Sequence, residues 1–190
     1  MRVKDERKIE VIYQATLQLT QEVGIAGITV AKIAKQANLA TGTVYIYFKN
    51  KEELINQLYL HLKKQTTQGI FKGVDLKDPL KVCFKKLWLN LLHYKVNHFK
   101  ESLFVEQYYH SPYITLETKQ TASNQMLPLV ELLERGKKEL VIKDTSNVLL
   151  MAITYGFIRQ LAIGQQQGKL ELTQDILEEA FQMNWDAIKA

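Results

Sequence analysis

Apolar residues recur every three or four positions over most of this chain, which is the spacing of one face of an α-helix. The pattern predicts a first helix from about Asp5 to Val23, ended by Gly24, because glycine adopts a left-handed cap without steric cost. The apolar-leaning stripe of this helix consists of Ile9, Ile12, Thr16, Leu19 and Val23.

Two short helices are predicted next. Thr29 is placed to cap a second helix with its hydroxyl, and after a tight turn residues 41–47 predict a third. Two short helices joined by a tight turn form a helix-turn-helix unit. Asn50, followed three residues later by Glu53, predicts the start of a long fourth helix that runs towards Ile70.

Five more helices are predicted in the remaining chain. Asp78 is expected to cap the first of these, with Pro79 at its first helical position and an end near Tyr94. The other four are expected at about 99–109, 114–136, 146–164 and 173–188. With only three prolines and nine glycines in 190 residues, and 46% hydrophobic residues, the chain is predicted to fold as an all-α protein.

Positive charge is concentrated near the start of the chain. Residues 1–51 hold eight basic and four acidic side chains, a net charge of +4, out of a formal +5 for the whole chain. A concentrated positive charge suits a phosphate-binding surface, because each neutralised phosphate releases condensed counterions. A solvated basic face without a ligand is the alternative interpretation of the same charge.

Residues 28–55 resemble the N-terminal signature of the tetracycline-repressor (TetR) family of transcription regulators. The family pattern has a threonine that opens the second helix, an Ile-Ala pair, Gly-Thr-x-Tyr-x-Tyr-Phe and Lys-x-Lys-Glu-x-Leu. Its members here are Thr29, Ile33, Ala34, Gly42, Thr43, Tyr45, Tyr47, Phe48, Lys49, Lys51, Glu52 and Leu54. The resemblance implies a three-helix helix-turn-helix DNA-binding domain of residues 1–50 and a helical ligand-binding and dimerisation domain of residues 51–190.

The third helix is the expected reading element for DNA. Its small residues suit entry into a major groove, Gly42 permits close approach of a DNA backbone, and threonine can bond a base or touch a thymine methyl. Tyrosine and lysine side chains nearby are expected on phosphates. The predicted DNA-binding residues are Thr29, Ala40, Thr41, Gly42, Thr43, Tyr45, Tyr47 and Lys49.

Other positions of the motif are assigned differently. Val44 and Phe48 are expected in the core, because their spacing suits packing against the first two helices. Thr41 stands where many relatives carry Lys or Arg, and Ile46 stands where His or Trp is frequent. Both departures leave the preferred operator sequence open.

Aromatic residues cluster in the middle of the chain. Eight of the 18 aromatic residues lie between residues 84 and 113, which favours either an aromatic-rich core or an apolar pocket with a few polar groups, the usual design of a small-molecule site. Tyrosine hydroxyls in and near this region can orient a ligand. The predicted ligand-binding residues are Trp88, Tyr94, Phe104, Tyr108, Tyr109 and Tyr155.

The last two predicted helices carry wide apolar faces. The resemblance implies that they form a four-helix interface in a homodimer, and small residues would allow close approach. Coverage of these faces by the chain's own core is the alternative. The predicted interface residues are Leu149, Ala152, Ile153, Gly156, Leu177, Ala180, Phe181 and Trp185.

Other chemistry has little support in the sequence. No metal is predicted, since only Glu106 and His110 share a helix face at a spacing of four, and no cofactor or catalytic motif is recognised. Cys83 is expected to be a reduced thiol. The charged N-terminus, Met1 to Glu10, and the short apolar run 148–153 argue against secretion or membrane insertion, so a cytoplasmic location is expected.

These features predict a ligand-responsive repressor that binds a palindromic double-stranded DNA operator as a homodimer. A small apolar or amphipathic molecule between the middle helices would shift the helix that starts at Asn50 and release the operator. One alternative is a regulator of the same fold that answers to a protein partner instead. A more distant alternative is a small-molecule carrier or enzyme on a helical scaffold.

Overall fold

The computed structural model describes residues 5–190, and the regular secondary structure in this range is helical, with one isolated bridge between Ile142 and Lys189. The helices are α1 (Glu6–Gly27), α2 (Val30–Gln36), α3 (Thr41–Tyr47), α4 (Lys51–Ile70), α5 (Leu80–Asn97), α6 (Phe99–Tyr109), α7 (Leu116–Asn124), α8 (Leu127–Lys138), α9 (Asn147–Gln166) and α10 (Gln174–Ile188). The predicted all-α fold class is confirmed.

Helix starts follow the predicted capping residues in most cases. The Thr29 hydroxyl caps α2, and the Asn50 side chain accepts the Glu53 N–H at 2.8 Å at the start of α4. The Glu53 carboxylate in turn accepts the Lys49 N–H at 2.5 Å, so the two side chains satisfy N–H groups that have no partner inside the helix. Gly24, with φ 67°, interrupts α1 where the first helix was predicted to end.

Two predicted boundaries are wrong, and proline is involved in both. The helix predicted over 114–136 is divided into α7 and α8, since Pro128 lies in the first turn of α8, where its missing N–H is tolerated, whereas a helix interior excludes it. Pro79 has the extended ψ of 138° and precedes α5 as its N-cap, so it is not the first helical residue and Asp78 is not the cap.

The chain divides into two compact units. The first comprises the chain through Leu62 together with Lys100–Thr121, and the second comprises Lys63–Phe99 with Ala122–Ala190. These units differ from the split predicted after residue 50, because residues 100–121 pack with the N-terminal helices. The extent of the DNA-binding domain itself stays a prediction.

The core of the first unit is built from the helix faces that the apolar periodicity marks. Ile12 of α1, Ile33 of α2 and Val44 of α3 are each 0% exposed, as are Leu54 and Leu58 of α4. Burial of each such side chain contributes about 1.5–3 kcal/mol relative to full exposure. The packed faces therefore hold the short helices α2 and α3, which would not be stable alone.

The second unit has an aromatic core between α5 and α10. Trp88 and Phe181 are each 2% exposed and meet edge to face at a centroid distance of 5.8 Å. Phe84 contacts Phe181 at 6.4 Å and Trp185 at 5.7 Å. Helix α9 packs against both α5 and α10. This core accounts for part of the aromatic enrichment in the middle of the chain.

Candidate functional site

The turn between α2 and α3 has a defined geometry that fixes the helix-turn-helix. Asn38 adopts φ 53°, the left-handed conformation that asparagine tolerates better than most residues. The Leu39 N–H donates to Ala34 O at 2.9 Å and the Asn38 N–H donates to Lys35 O at 3.1 Å, which is the pairing of a Schellman motif. The chain then enters α3 through the exposed Ala40.

Helix α3 presents one face to solvent. Thr41 and Gly42 are exposed, Thr43 is half-buried, and Tyr45 and Ile46 are 53% and 60% exposed. A side chain added at Gly42 would meet no atom within 4 Å, so this part of the helix is open to a large approaching molecule. The structure thus brings the predicted reading residues together on one accessible face.

The opposite face of α3 belongs to the core. Val44 is 0% and Phe48 2% exposed, which confirms both core predictions, and the Phe48 ring lies 5.8 Å from that of Tyr13. Tyr47 is 8% exposed and packs against Phe48 at 6.5 Å. Most of the Tyr47 surface is therefore used in packing, and a contact between Tyr47 and DNA stays a prediction.

Exposed lysines precede and follow α3 along the chain. Lys35 and Lys49 are exposed, and Lys32 is exposed with its ammonium on Gly27 O at 2.7 Å. The Thr29 hydroxyl is occupied as a cap, accepting the Lys32 N–H at 3.2 Å. The predicted DNA-binding residues omit Lys35; its signal in the sequence is the run of residues 23–51, which holds four lysines and no acid.

Lys51 holds the segment in front of the helix-turn-helix. Its ammonium donates to Ile25 O and Ile28 O, both at 3.2 Å, and lies 5.2 Å from the centre of the Tyr113 ring. Ile28 is 1% exposed, so the connection between α1 and α2 is anchored from two sides. Lys51 therefore stabilises the position of α2, whereas the family motif alone gave no role for it.

Asn56 joins α4 to the connection between α6 and α7. Its side-chain amide donates to Glu52 O at 2.9 Å and to Tyr113 O at 2.8 Å, and its oxygen accepts the Thr115 N–H at 3.0 Å. Nearby on α6, burial raises the pKa of Tyr108, and a hydrogen bond with the Ile25 backbone opposes this rise only in part. Sequence reasoning missed Asn56, because its partners lie nearly 60 residues away along the chain.

The predicted ligand-binding residues are distributed over both units. Phe104, Tyr108 and Tyr109 lie in the first unit, and Trp88, Tyr94 and Tyr155 lie in the second. Phe104 is 2% and Tyr108 9% exposed, which fits the alternative that these rings are core residues as well as it fits a pocket. Trp88 is equally buried, and its indole N–H makes no hydrogen bond with any residue in the range 5–190.

The second unit contains buried basic side chains. Lys95 is 3% exposed, and its ammonium donates to the Tyr155 hydroxyl at 2.8 Å and lies 4.1 Å from the centre of that ring. Burial, and next the Lys95 ammonium, lowers the pKa of Lys63. Lys95 is thus buried and Lys63 half-buried in this unit, and neither was predicted from the sequence.

A polar groove of about 660 Å³ lies in the first unit, along the outer face of α1. Its walls include Gln14, Gln18, Gln36 and Lys100, and no predicted ligand-binding residue lines it. The glutamine amides are partly engaged with neighbouring acids, as in the 3.0 Å bond from Gln14 to Glu10. The groove therefore does not correspond to the predicted apolar site.

The predicted interface residues separate into two groups. On α9, Leu149 and Ile153 are 55% and 44% exposed, Ala152 is exposed, and a side chain added at Gly156 would meet no atom within 4 Å. On α10 the predicted residues are buried within the single chain instead, and their place in an interface stays a prediction. They pack in the chain's own core against α5, and they are Leu177, Ala180, Phe181 and Trp185.

Metal and thiol chemistry gain no support from the geometry. Within residues 5–190, no three His, Cys, Asp or Glu side chains are grouped as a metal site would require. Cys83 is 1% exposed, and its thiol donates weakly to Asp75 O at 3.0 Å and to Asp78 O at 3.4 Å. Its surroundings are those of a small core residue.

Comparison with known proteins identifies both parts of the chain. Residues 12–58 match the family described as "Bacterial regulatory proteins, tetR family", and residues 79–189 match the family described as "Tetracyclin repressor-like, C-terminal domain". An uncharacterised helix-turn-helix transcriptional regulator from Haemophilus influenzae is 25% identical over 181 residues, covering 95% of each chain.

Solved structures agree with these matches. A TetR family transcription regulator from Marinobacter aquaeolei VT8 superposes with a TM-score of 0.92 at 26% identity, over 100% of this chain and 99% of that one. A TetR family protein from Vibrio parahaemolyticus superposes with a TM-score of 0.82 at 27% identity, over 98% and 100% of the two chains. The chain therefore belongs to the TetR family of DNA-binding transcriptional regulators.

Proposed function

We propose that this regulator binds a palindromic operator as a homodimer and represses transcription until a small molecule releases it. The observation that carries the proposal is the exposed face of α3 within a lysine-rich, acid-free segment, residues 23–51. Exposed lysines supply phosphate contacts that fix orientation, and α3 supplies base contacts in the major groove. The cytoplasmic location that this function requires is part of the proposal.

Selection of bound sequences from random duplex DNA tests the DNA-binding part. An enriched palindrome with half-sites about one helical turn, roughly 34 Å, apart supports two heads on one face of the duplex. With that operator, Lys35→Ala and Lys49→Ala should each weaken binding and lower the slope of log K against log salt by about one. Lys169→Ala, an exposed lysine of the second unit, is the matched control and should leave the slope unchanged.

The proposed dimer interface is the exposed apolar face of α9. Val148 is 74% exposed and with Leu149 and Ile153 forms an exposed apolar strip on α9, and Met183 of α10 is 58% exposed. A patch of this kind on a folded chain marks an interaction site. By length and composition alone, α9 is also apolar enough to cross a membrane, and only 17% of its most apolar stretch is buried within the chain. Arg159 within the helix opposes insertion.

The mass in solution tests this interface. The wild-type chain should sediment at twice its 22.0 kDa, and Ile153→Glu should shift it to the single-chain mass because it buries an unpaired carboxylate against the second copy. Gln57→Glu adds the same charge at an exposed position of α4 in the first unit and should leave the dimer intact. A wild-type mass of 22.0 kDa at micromolar concentration would refute the interface.

The release step is proposed from the C-terminal family match and from polar groups inside the second unit. The buried Lys95 ammonium and the hydroxyl of Tyr155, a residue 38% exposed, lie 2.8 Å apart in a unit with an apolar core, and such a pairing of polar groups with apolar surface orients amphipathic molecules. The test is a screen for compounds that displace the selected operator. If no compound displaces the operator but a protein fraction does, the small-molecule inducer is refuted and a protein partner takes its role.

A further inference from the structure

The reading helix of this protein contains neither a charged nor an amide side chain. Its sequence is Thr-Gly-Thr-Val-Tyr-Ile-Tyr over residues 41–47. Direct readout of guanine in the major groove relies on paired hydrogen bonds from Arg or Lys, and readout of adenine relies on Asn or Gln. Helix α3 therefore lacks the side chains that make the commonest specific base contacts.

What α3 does present is largely hydrocarbon. Ile46 is 60% exposed and Tyr45 53%, whereas Val44 on the same helix is 0% exposed. Two large side chains that follow each other on this seven-residue helix thus remain in solvent and do not gain the free energy that burial in the core would give. The core does not need them either, since Val44 and Phe48 already complete it at 0% and 2% exposure.

The major groove offers one apolar feature, the C5-methyl group of thymine. The exposed lysines near α3 favour DNA as the molecule that binds this face. Lys35 and Lys49 are exposed beside it, and the stretch 23–51 contains no acidic residue that would repel phosphate. An apolar protein partner would not require exposed lysines on the same segment as the apolar face.

We propose that α3 recognises its operator through thymine methyl groups, which Ile46 and Tyr45 contact, so that each half-site carries thymine at the positions facing these side chains. For Tyr45 this base contact replaces the phosphate contact that the sequence predicted. Thr41 and Thr43 add hydroxyl contacts that tolerate more than one base. This inference rests on the proposed DNA-binding role of α3 and names the chemistry of its target. It also gives a function to Ile46, at which the chain departs from the family pattern.

The test replaces thymidine by 2′-deoxyuridine, which removes only the methyl group and keeps every hydrogen bond of the base pair. With the selected operator, single replacements are made in both half-sites and affinity is measured by fluorescence anisotropy at one fixed salt concentration. Loss of one buried methyl group corresponds to about a fourfold weaker affinity. Wild-type protein should show this loss at one or more positions of each half-site.

Substitution of the protein locates the contact. Ile46→Ala should bind the thymidine operator more weakly, and the uridine effect should disappear at the position that Ile46 faces, with Tyr45→Ala behaving likewise at its own position. Val11→Ala, which shortens another exposed side chain on α1 at 45% exposure, should retain the full uridine effect. Circular dichroism should show unchanged helix content in all three variants.

The possible outcomes separate this inference from the function beneath it. Selective operator binding that is insensitive to uridine at every position overturns the methyl readout and leaves the regulator intact. Uridine sensitivity that persists in both α3 variants overturns the assignment to Ile46 and Tyr45. Failure to enrich any sequence overturns the proposed function itself, whereas loss of the uridine effect in one or both variants supports the inference.

Discussion

Asn56 should be the polar side chain on which the first unit depends most. Two of its three hydrogen bonds, at 2.8 and 3.0 Å, join α4 to Tyr113 O and the Thr115 N–H, the third, at 2.9 Å, reaches Glu52 O within α4, and the side chain is 8% exposed. Asn56→Ala removes all three bonds without allowing water free access to the groups left behind. At about 1 kcal/mol for each bond, the free energy of unfolding of this unit should fall by about 3 kcal/mol.

Urea unfolding followed by two probes measures this loss. Trp88 and Trp185 both lie in the second unit, so tryptophan fluorescence reports that unit, whereas far-ultraviolet circular dichroism reports all helices. Asn56→Ala should shift the dichroism transition to lower urea more than the fluorescence transition. The matched control is Gln57→Ala on the same helix, whose exposed amide bonds only Glu53 at 3.0 Å and whose loss should cost less than about 0.5 kcal/mol.

A difference below about 0.5 kcal/mol between Asn56→Ala and Gln57→Ala would refute the reasoning, because it would mean that the buried bonds give no net stabilisation over water. Both variants must be compared at one protein concentration, since association of the chain would raise apparent stability by mass action. A loss shared equally by both probes would show instead that the two units unfold together.

Three further predictions concern packing, burial and pH. Gly136→Ala should destabilise the second unit by about 1–3 kcal/mol in urea unfolding, because the added carbon would lie 2.5 Å from Leu80 Cδ2. Asn184→Leu should raise stability by about 1 kcal/mol, since both amide atoms of this 3% exposed residue lack a partner within residues 5–190; a loss would show that the amide is satisfied. Burial, and next Glu10, raises the pKa of Tyr13 from 10.0 to about 12, so the unfolded chain loses this proton first and stability should fall as pH rises from 10 towards 12. Tyr13→Phe should flatten that decline in unfolding measured across the same range, and an unchanged slope would contradict it.

Local sequence determined much of this fold. The periodic apolar stripes and capping residues located α3 at residues 41–47 and α6 at 99–109, and Thr29 caps α2 as predicted. These features depend on contacts within a few residues, so a single helix contains the information that specifies them. The motif around Gly42 also identified the family, because it combines small, polar and aromatic residues at fixed spacing.

Only the tertiary structure decided which apolar faces remain exposed. Helices α9 and α10 both carry apolar residues at helical spacing, yet Phe181 and Trp185 are buried in the core with α5 whereas Leu149 and Ile153 face solvent. Which apolar face is buried depends on which helices pack against it. The apolar periodicity of one helix does not identify its neighbours. Both bonds of Lys51, and the bonds from Asn56 to Tyr113 and Thr115, are equally non-local, since these partners lie more than 20 residues away and leave no pattern in the sequence around them.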